Sequence, residues 1–445
     1  MTHHSVRVGA VAVGVLVGGA LAAVFAWALQ TQSYNVWGAV ILIPVIAALN
    51  LLMVWRVTRR AEERWLAPLL ALAFGAKLLG ALARYAVAYV AYKGVADAER
   101  YNLYAAAHYE TWRQGVIQLD LAGAIGTHYM ELITTAIYTI IGPTPLAGFV
   151  VFASLAFWGQ YLTYRAFRIA LPGGNARRYA VLVLLLPSML YWPSSIGKES
   201  WLMLFVGVTA LGAAKFFARR PGALLLLAVG AAGSAIIRPH MALLMFVGLA
   251  VAQFFRPTGA RSTDILSKLA GLAVVAAVAV VLTTQSAAML GIEDLNVQTI
   301  TQSVEFRQQQ TEEGGSAFTP VPITSVTGVP IAILTVVFRP LPWEAHSPQM
   351  LMQSLEGLVL LALIVKAWPR LRLLPQLMRR NPYVVFAMTY SLAFIFAFAG
   401  FGNFGILARQ RVLMLPLFLI LLALPAGREA LSPPQTTREL AHARH

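Results

Sequence analysis

Several short polar stretches interrupt an otherwise apolar chain, and they hold residues that could bind an anion or move a proton. The groups that could accept a proton from a hydroxyl are Asp97, Glu344 and His346. The residues that could bind a phosphate or its surroundings are Arg100, Tyr101, Lys198, Glu199, Arg238, Arg339, Arg409 and Arg411. Together they predict a cationic pocket suited to a phosphate or pyrophosphate, with a carboxylate or imidazole beside it.

Each of these residues also has a plain structural interpretation. Asp97 fits the cap of a helix whose first turn contains Glu99, and capping can coexist with a chemical role. Lys198 follows small residues at a helix start, where backbone amides favour an anion, although a snorkelling lysine fits as well. A single arginine at the end of a span is usually an interfacial anchor. The hypothesis of a site therefore depends on the set of arginines and not on any one of them.

The composition predicts a polytopic membrane protein. The chain is 59% hydrophobic and only 12% charged, with apolar runs near the length that a hydrocarbon core of ~30 Å requires. The net charge of +16 lies mostly in short loops, which indicates the positive-inside pattern and not a nucleic-acid partner. There is no cysteine, so cysteine-ligated metal sites are excluded.

The apolar runs predict an all-α transmembrane helical bundle of about 12 spans. We expect spans at 8–29, 36–54, 66–91, 146–169, 179–191, 201–218, 222–237, 241–255, 265–282, 350–365, 384–401 and 412–424. They form one transmembrane domain over 1–427, followed by a cytoplasmic tail at 428–445. The arginine-rich loops fall on one side, which predicts that both termini are cytoplasmic in the inner membrane of a bacterium.

Two extracytoplasmic segments, 92–130 and 283–349, are longer than turns. The first is polar and aromatic, and predicts either an amphipathic surface helix or a folded loop. Residues 128–141, with Glu131 in an apolar pattern, are too short to span and predict a re-entrant or interfacial segment. The second segment contains 305–318, whose composition suggests a mobile cover over the site.

Common catalytic motifs are absent from the sequence. There is no Walker loop, dinucleotide fingerprint or nucleophile elbow, and the histidines lack the spacing of a metal-binding pair. No metal-ligating residue is therefore assigned. A divalent metal remains possible, and no cofactor is certain.

The polar stretches resemble those of two families of membrane enzymes. The Asp-x-x-x-Tyr pattern of Asp97 and Tyr101 is similar to the start of C-type glycosyltransferases. The SSIGKE stretch at 194–199, the isolated Arg238, and Arg409 and Arg411 before an apolar helix with Pro416 resemble bacterial O-antigen and exopolysaccharide polymerases. The acidic pair of many C-type enzymes is not evident here.

The resemblance implies a glycosyltransferase that works at the outer face on a polyprenyl-(di)phosphate-linked donor, for assembly of an envelope glycan or exopolysaccharide. Arg238, Arg339, Arg409 and Lys198 would bind the phosphate, and Asp97 or Glu344 would act on the acceptor. Two alternatives stay open: a C-type enzyme adding single sugars from a polyprenyl phosphate, and a flippase or transporter of lipid-linked glycans. Transport ranks last because the span centres look almost free of charge. The sequence predicts contact with the lipid bilayer, and it does not identify a protein partner.

Overall fold

Most of the residues that the structure describes are helical. A computed structural model describes residues 18–20, 22–119, 126–257, 262–290, 316–320 and 328–425. Within these ranges there is no strand, and the isolated antiparallel bridge is between Ala317 and Asn403. The predicted all-α class is confirmed. The predicted tail at 428–445 and residues 305–315 of the predicted cover lie outside the described residues.

The described residues form a series of helices along the chain. In chain order, after a helical stretch at 22–30, they are α1 (Tyr34–Thr58), α2 (Leu66–Ala86, continued by a π-helical turn at Val87–Ala91), α3 (Asp97–Arg113), α4 (Thr127–Ile141), α5 (Pro145–Ala170), α6 (Ala176–Leu185), α7 (Pro187–Tyr191), α8 (Lys198–Phe217), α9 (Ala223–Ala235), α10 (Pro239–Phe254), α11 (Ser262–Leu290), α12 (Gly328–Phe338), α13 (Pro348–Leu371), α14 (Leu374–Arg380), α15 (Pro382–Phe398), α16 (Phe404–Arg411) and α17 (Leu415–Phe418). Short 3₁₀ turns lie at Pro342–Glu344 and Leu419–Ala423.

The chain divides into two compact units. Unit 1 comprises Met1–Leu155 and Ser194–Ser200, and unit 2 comprises Ala156–Pro193 and Trp201–His445. In unit 1, α3 packs along α4, and α1 packs on α2. In unit 2, α10 packs against both α11 and α15. The single transmembrane domain that the sequence predicts over 1–427 stays a prediction.

Five helices among the described residues are long and apolar enough to cross a membrane, namely α1, α2 with its π-helical turn, α5, α8 and α13. Two bent pairs, α14 with α15 and α16 with the helical segment Leu415–Ala423, would bring the number to seven if each pair counts as one span. These numbers rest on length and composition. They do not confirm the twelve predicted spans, because several predicted spans are helices of 10–17 residues or are broken.

Prolines explain two of the breaks. The predicted span at 179–191 is interrupted between α6 and α7, where Leu186 is extended (φ −57°, ψ 135°) because Pro187 follows it. Asn381, which separates α14 from α15 at a bend of 119°, is extended (φ −124°, ψ 103°) because Pro382 follows it. Its side chain accepts a hydrogen bond from the Tyr383 amide at 3.0 Å, as a helix cap does.

The second predicted outer segment, 283–349, differs from the expected loop. Helix α11 continues to Leu290, and α12 forms an apolar helix of 11 residues within the segment. This run is much shorter than the ~20 residues that a span needs, so hydropathy alone did not identify it. In the first outer segment the polar helix α3 forms over Asp97–Arg113, one of the two alternatives expected there.

Burial separates two kinds of apolar segment. Helix α1 exposes large side chains, with Leu49 and Leu52 both 56% exposed, as expected of a surface that faces lipid. By contrast, every residue of 412–424 is buried, and we call this stretch the core segment. A segment that is apolar and buried on all sides belongs to the interior of a fold. The residues of the last predicted span therefore form part of the buried interior of unit 2.

Glycines allow α5 and α8 to touch through their backbones in unit 2. A Cβ on Gly207 would lie 2.2 Å from the Gly159 carbonyl oxygen, and a Cβ on Gly159 would lie 2.3 Å from the Met203 carbonyl oxygen. Neither oxygen is the end of a flexible side chain, so the helices themselves would have to separate. Small residues at a helix crossing permit such an approach in membrane proteins.

Gly207→Ala is therefore expected to lower the free energy of unfolding by about 1–3 kcal/mol through overpacking. The matched control is Gly75→Ala in α2, where nothing lies within 4 Å of the added Cβ. That variant should be neutral or stabilised by about 0.5–1 kcal/mol, since alanine favours a helix over glycine. Thermal unfolding of the purified protein in detergent measures both. Equal midpoints for the two variants would contradict the close backbone contact.

Candidate active site

A buried carboxylate with two basic partners lies between α3 and α4 in unit 1. The Glu131 side chain is 7% exposed; it accepts a hydrogen bond from Arg100 Nε at 2.8 Å on Oε1 and pairs with His128 Nδ1 at 2.9 Å through Oε2. The Arg100 side chain is 67% exposed and that of His128 is 25% exposed. A buried acid is thus held between an exposed guanidinium and a half-buried imidazole.

The start of α8 adds a second cation to this group. Lys198 Nζ donates to Thr127 Oγ1 at 2.9 Å, and Thr127 is the residue before His128. We name Arg100, Thr127, His128, Glu131 and Lys198 the Glu131 cluster. All five residues belong to unit 1. The half-buried ammonium group and the guanidinium are the kinds of donor that phosphate oxygens prefer.

The ring of His128 is held in a defined orientation. Its Nδ1 faces Glu131, so the favoured tautomer carries the proton there and leaves Nε2 as the basic atom. Nε2 is itself buried, and within the described residues it has no hydrogen-bond partner. The Tyr104 ring lies perpendicular to the imidazole at 5.5 Å. A carboxylate that orients an imidazole in this way forms a dyad able to take a proton from a hydroxyl.

A second hydrogen-bond chain fixes α3 on α4. Glu99 Oε2 accepts from Tyr89 Oη at 2.6 Å and from Asn102 Nδ2 at 3.1 Å. Asn102 Oδ1 in turn accepts from Tyr138 Oη at 2.7 Å. Tyr101, predicted to contact substrate, is 1% exposed and contributes to the packing of unit 1. This chain supports the helix that carries Arg100.

Asp97 and Glu199 occupy first turns of helices. Asp97 is the first residue of α3, with Ala96 at the cap position, so the expected cap lies one residue earlier. Asp97 is exposed, and it precedes Arg100 by three residues, so the two share a face of α3. Glu199 is buried in the first turn of α8, where the helix dipole favours a carboxylate.

In unit 2, four of the arginines predicted to bind phosphate lie on or near the short helix α16. Arg238 Nη1 donates to Gln410 Oε1. Arg411 Nη1 donates to the carbonyl oxygens of Val337 at 2.7 Å and Arg339 at 3.1 Å. Arg409 is half-buried on the same helix. We name Arg238, Arg339, Arg409 and Arg411 the arginine cluster.

Arg339 and Glu344 neutralise each other. The Arg339 guanidinium chelates the carboxylate, with Nε 3.0 Å from Oε1, and lies over the stacked rings of Phe318 and Phe404 at 4.6 and 5.0 Å from their centroids. Burial by itself raises the pKa of Glu344, but hydrogen bonds from Arg339 and the Leu341 amide outweigh it and hold that pKa below its usual value. A carboxylate so stabilised is a weak proton acceptor, which weakens the predicted base role of Glu344. His346 is exposed.

Arg411 is enclosed and not presented to a ligand. Its side chain is fully buried, and Nη2 donates to Gln353 Oε1 at 2.5 Å. Glu356, 3% exposed in the middle of α13, attracts the guanidinium electrostatically. The same carboxylate accepts hydrogen bonds from the Ser188 amide at 2.6 Å and the Ser188 hydroxyl at 2.5 Å, in the first turn of α7. The geometry gives Arg411 a structural role in unit 2.

Sequence reasoning did not select His128, Glu131, Gln353 or Glu356 as site residues. The signal for Glu131 was a lone carboxylate in an apolar helical pattern, and Glu356 gives the same signal inside a predicted span. Among the described residues no three His, Asp or Glu side chains are grouped to hold a metal ion.

The chain was compared with protein-family models, with curated proteins and with solved structures, and none of them matched.

Proposed function

We propose that the protein is a membrane glycosyltransferase that uses a polyprenyl-(di)phosphate-linked glycan donor at the extracytoplasmic face. The observation that supports it is the Glu131 cluster, where an oriented histidine lies beside two phosphate-binding cations within one compact unit. In polymerase activity the acceptor is a second lipid-linked glycan, and the product is an envelope glycan or exopolysaccharide.

In the proposed reaction an acceptor hydroxyl attacks the anomeric carbon of the donor sugar. The new glycosidic C–O bond forms as the bond from that carbon to the phosphate oxygen breaks. The hydroxyl proton passes to His128 Nε2, a buried atom without a hydrogen-bond partner among the described residues, while Nδ1 of the same ring is held by Glu131. Arg100 and Lys198 offset the negative charge that develops on the departing polyprenyl (di)phosphate. Asp97, on the same face of α3 as Arg100, is the competing candidate for the base.

The membrane arrangement is part of the proposal. The five long apolar helices support a membrane protein. Twelve spans, cytoplasmic termini and a bacterial inner membrane are proposed on the basis of arginine-rich segments, which include Arg59, Arg60 and Arg64 between α1 and α2, and Arg379 and Arg380 at the end of α14.

Transport of lipid-linked glycans is the second candidate, and one observation favours it. Lys77 is fully buried in the middle of α2, and Glu356 is buried within α13. The expectation that span centres are almost free of charge does not hold at these two positions. Ionisable residues inside apolar helices often mark a substrate path.

The test is an in-vitro reaction of the purified protein in nanodiscs with lipid-linked oligosaccharide from the native host. Polymerase activity predicts a ladder of chain lengths, and Arg100→Ala should reduce it about 10²-fold or more by removing a donor to the leaving phosphate. The control is Arg113→Ala, an exposed arginine at the other end of α3, which should keep the ladder. One added sugar per acceptor would favour the single-sugar transferase, and no product with movement of the lipid between leaflets would favour transport.

A further inference from the structure

A cationic groove lies at the connection between α8 and α9 in unit 2. Its volume is about 460 Å³, and Arg219, Arg220 and Arg256 line it together with Leu224 and Leu225. Arg219 and Arg220 are exposed, and Arg256 is half-buried at the end of α10. We name this the Arg219 groove. Neither the Glu131 cluster nor the arginine cluster shares a residue with it.

The connection that carries the two exposed arginines is held in a fixed shape. The Arg220 amide donates to the Lys215 carbonyl at 2.8 Å, and Lys215 Nζ donates to the Pro221 carbonyl at 3.1 Å. Arg219 has φ 53° and Gly222 has φ 76°, both in the left-handed region that turns require. A turn fixed at both ends holds the backbone that carries the two arginines in place before any ligand binds, which lowers the cost of ordering this connection.

The groove combines positive charge with exposed apolar surface. From Trp201 to Pro257 the sequence contains no Asp or Glu, so the segments that line the groove supply cations only. Leu224 and Leu225 are 61% and 68% exposed at the start of α9. A free phosphate ion would bind to the arginines but would make no favourable contact with the leucines. An amphiphile would bind to the arginines through its anionic head and to the leucines through its hydrocarbon chains.

The groove also lies where such an amphiphile would be found. It adjoins the end of α8, one of the five helices able to cross a membrane, and the first turn of the apolar helix α9. Phosphate groups of lipids lie at the level where a span ends, and clusters of arginines there recognise anionic head groups.

We propose that the Arg219 groove binds an anionic phospholipid, with the phosphate diester on Arg219, Arg220 and Arg256 and the acyl chains along Leu224 and Leu225. This site is independent of the proposed glycosyl transfer. The bound lipid would tie the connection between α8 and α9 to the membrane surface and so stabilise the folded protein.

The test titrates the full chain, purified in neutral detergent, with dioleoyl phosphatidylglycerol and follows thermal unfolding and lipid retention by native mass spectrometry. Dioleoyl phosphatidylcholine and inorganic phosphate are titrated in parallel. We expect the phosphatidylglycerol to raise the unfolding midpoint and to be retained, and the two comparison ligands to do neither. Arg220→Gln with Arg256→Gln should weaken retention about tenfold or more, and Arg219 is left intact because of its left-handed backbone.

The matched control is Arg59→Gln with Arg60→Gln, two exposed arginines in the connection between α1 and α2. This control should bind phosphatidylglycerol as the wild type does. Equal weakening in both double variants would mean diffuse attraction to positive charge and would overturn the proposal. An equal effect of inorganic phosphate would overturn the lipid assignment, because the leucines would then contribute nothing.

Discussion

Replacing Arg411 by leucine is expected to destabilise the protein by about 3–5 kcal/mol, as removal of one partner from a buried charged network does. The guanidinium satisfies the carbonyl oxygens of Val337 and Arg339 and the amide of Gln353, and it opposes the charge of Glu356. Leucine fills part of the volume but leaves these groups unsatisfied in an interior that water does not reach. Unfolding of the purified protein in detergent measures the loss.

Two further variants separate charge from geometry at this position. Arg411→Lys keeps the charge but cannot reproduce the planar set of donors, so it should recover only part of the stability. Glu356→Leu combined with Arg411→Leu should cost less than the sum of the single changes, since the two residues act on each other. Arg379→Leu changes an exposed arginine in the same unit and should lie within about 0.5 kcal/mol of the wild type. A wild-type midpoint for Arg411→Leu would show that the network is unimportant for stability.

The second large effect is expected on turnover. If His128 is the base, His128→Ala should lower the rate of glycan transfer by about 10²–10⁴-fold, the usual contribution of general base catalysis. Glu131→Gln keeps the shape of the side chain but removes the charge that orients the imidazole, so it should also be strongly impaired. The assay is the nanodisc reaction described above, with donor binding measured separately so that loss of binding is not mistaken for loss of chemistry.

Asp97→Asn distinguishes the two candidates for the base. It should retain most of the activity if His128 accepts the proton. Full activity of His128→Ala, with inactive Asp97→Asn, would return the role to Asp97 as the sequence first suggested.

The sequence predicted the long apolar helices well, because each is a long run bounded by polar residues. The expected span at 146–169 corresponds to α5 (Pro145–Ala170), and that at 66–91 corresponds to α2 with its π-helical turn. The expected span at 412–424 stays a prediction, because the segment is buried along its whole length but belongs to a bent pair that could count as one span. Hydropathy records that a segment avoids water, but it does not separate burial in protein from exposure to lipid.

The candidate site was only partly predictable, since its contacts join residues far apart in the chain. Arg100 and Glu131 are separated by 31 residues, Arg411 and Val337 by 74, and Ser188 and Glu356 by 168. Residue type indicated that arginines were abundant at helix ends. It did not indicate which of them are neutralised, as Arg339 is by Glu344, or enclosed, as Arg411 is. Those distinctions depend on packing, which has no local signature in the sequence.

The core segment has a consequence for how the protein is made. Helix α6, α13 and α15 pack against parts of it, and the ribosome synthesises all three before it. While the core segment leaves the ribosome, its apolar residues are sufficient to attract the bilayer or the translocon, yet its final position is inside protein. Unit 2 therefore completes its interior only after its other helices are in place, so a stop codon introduced just before Val412 would yield a chain that inserts into the membrane but is open to proteolysis.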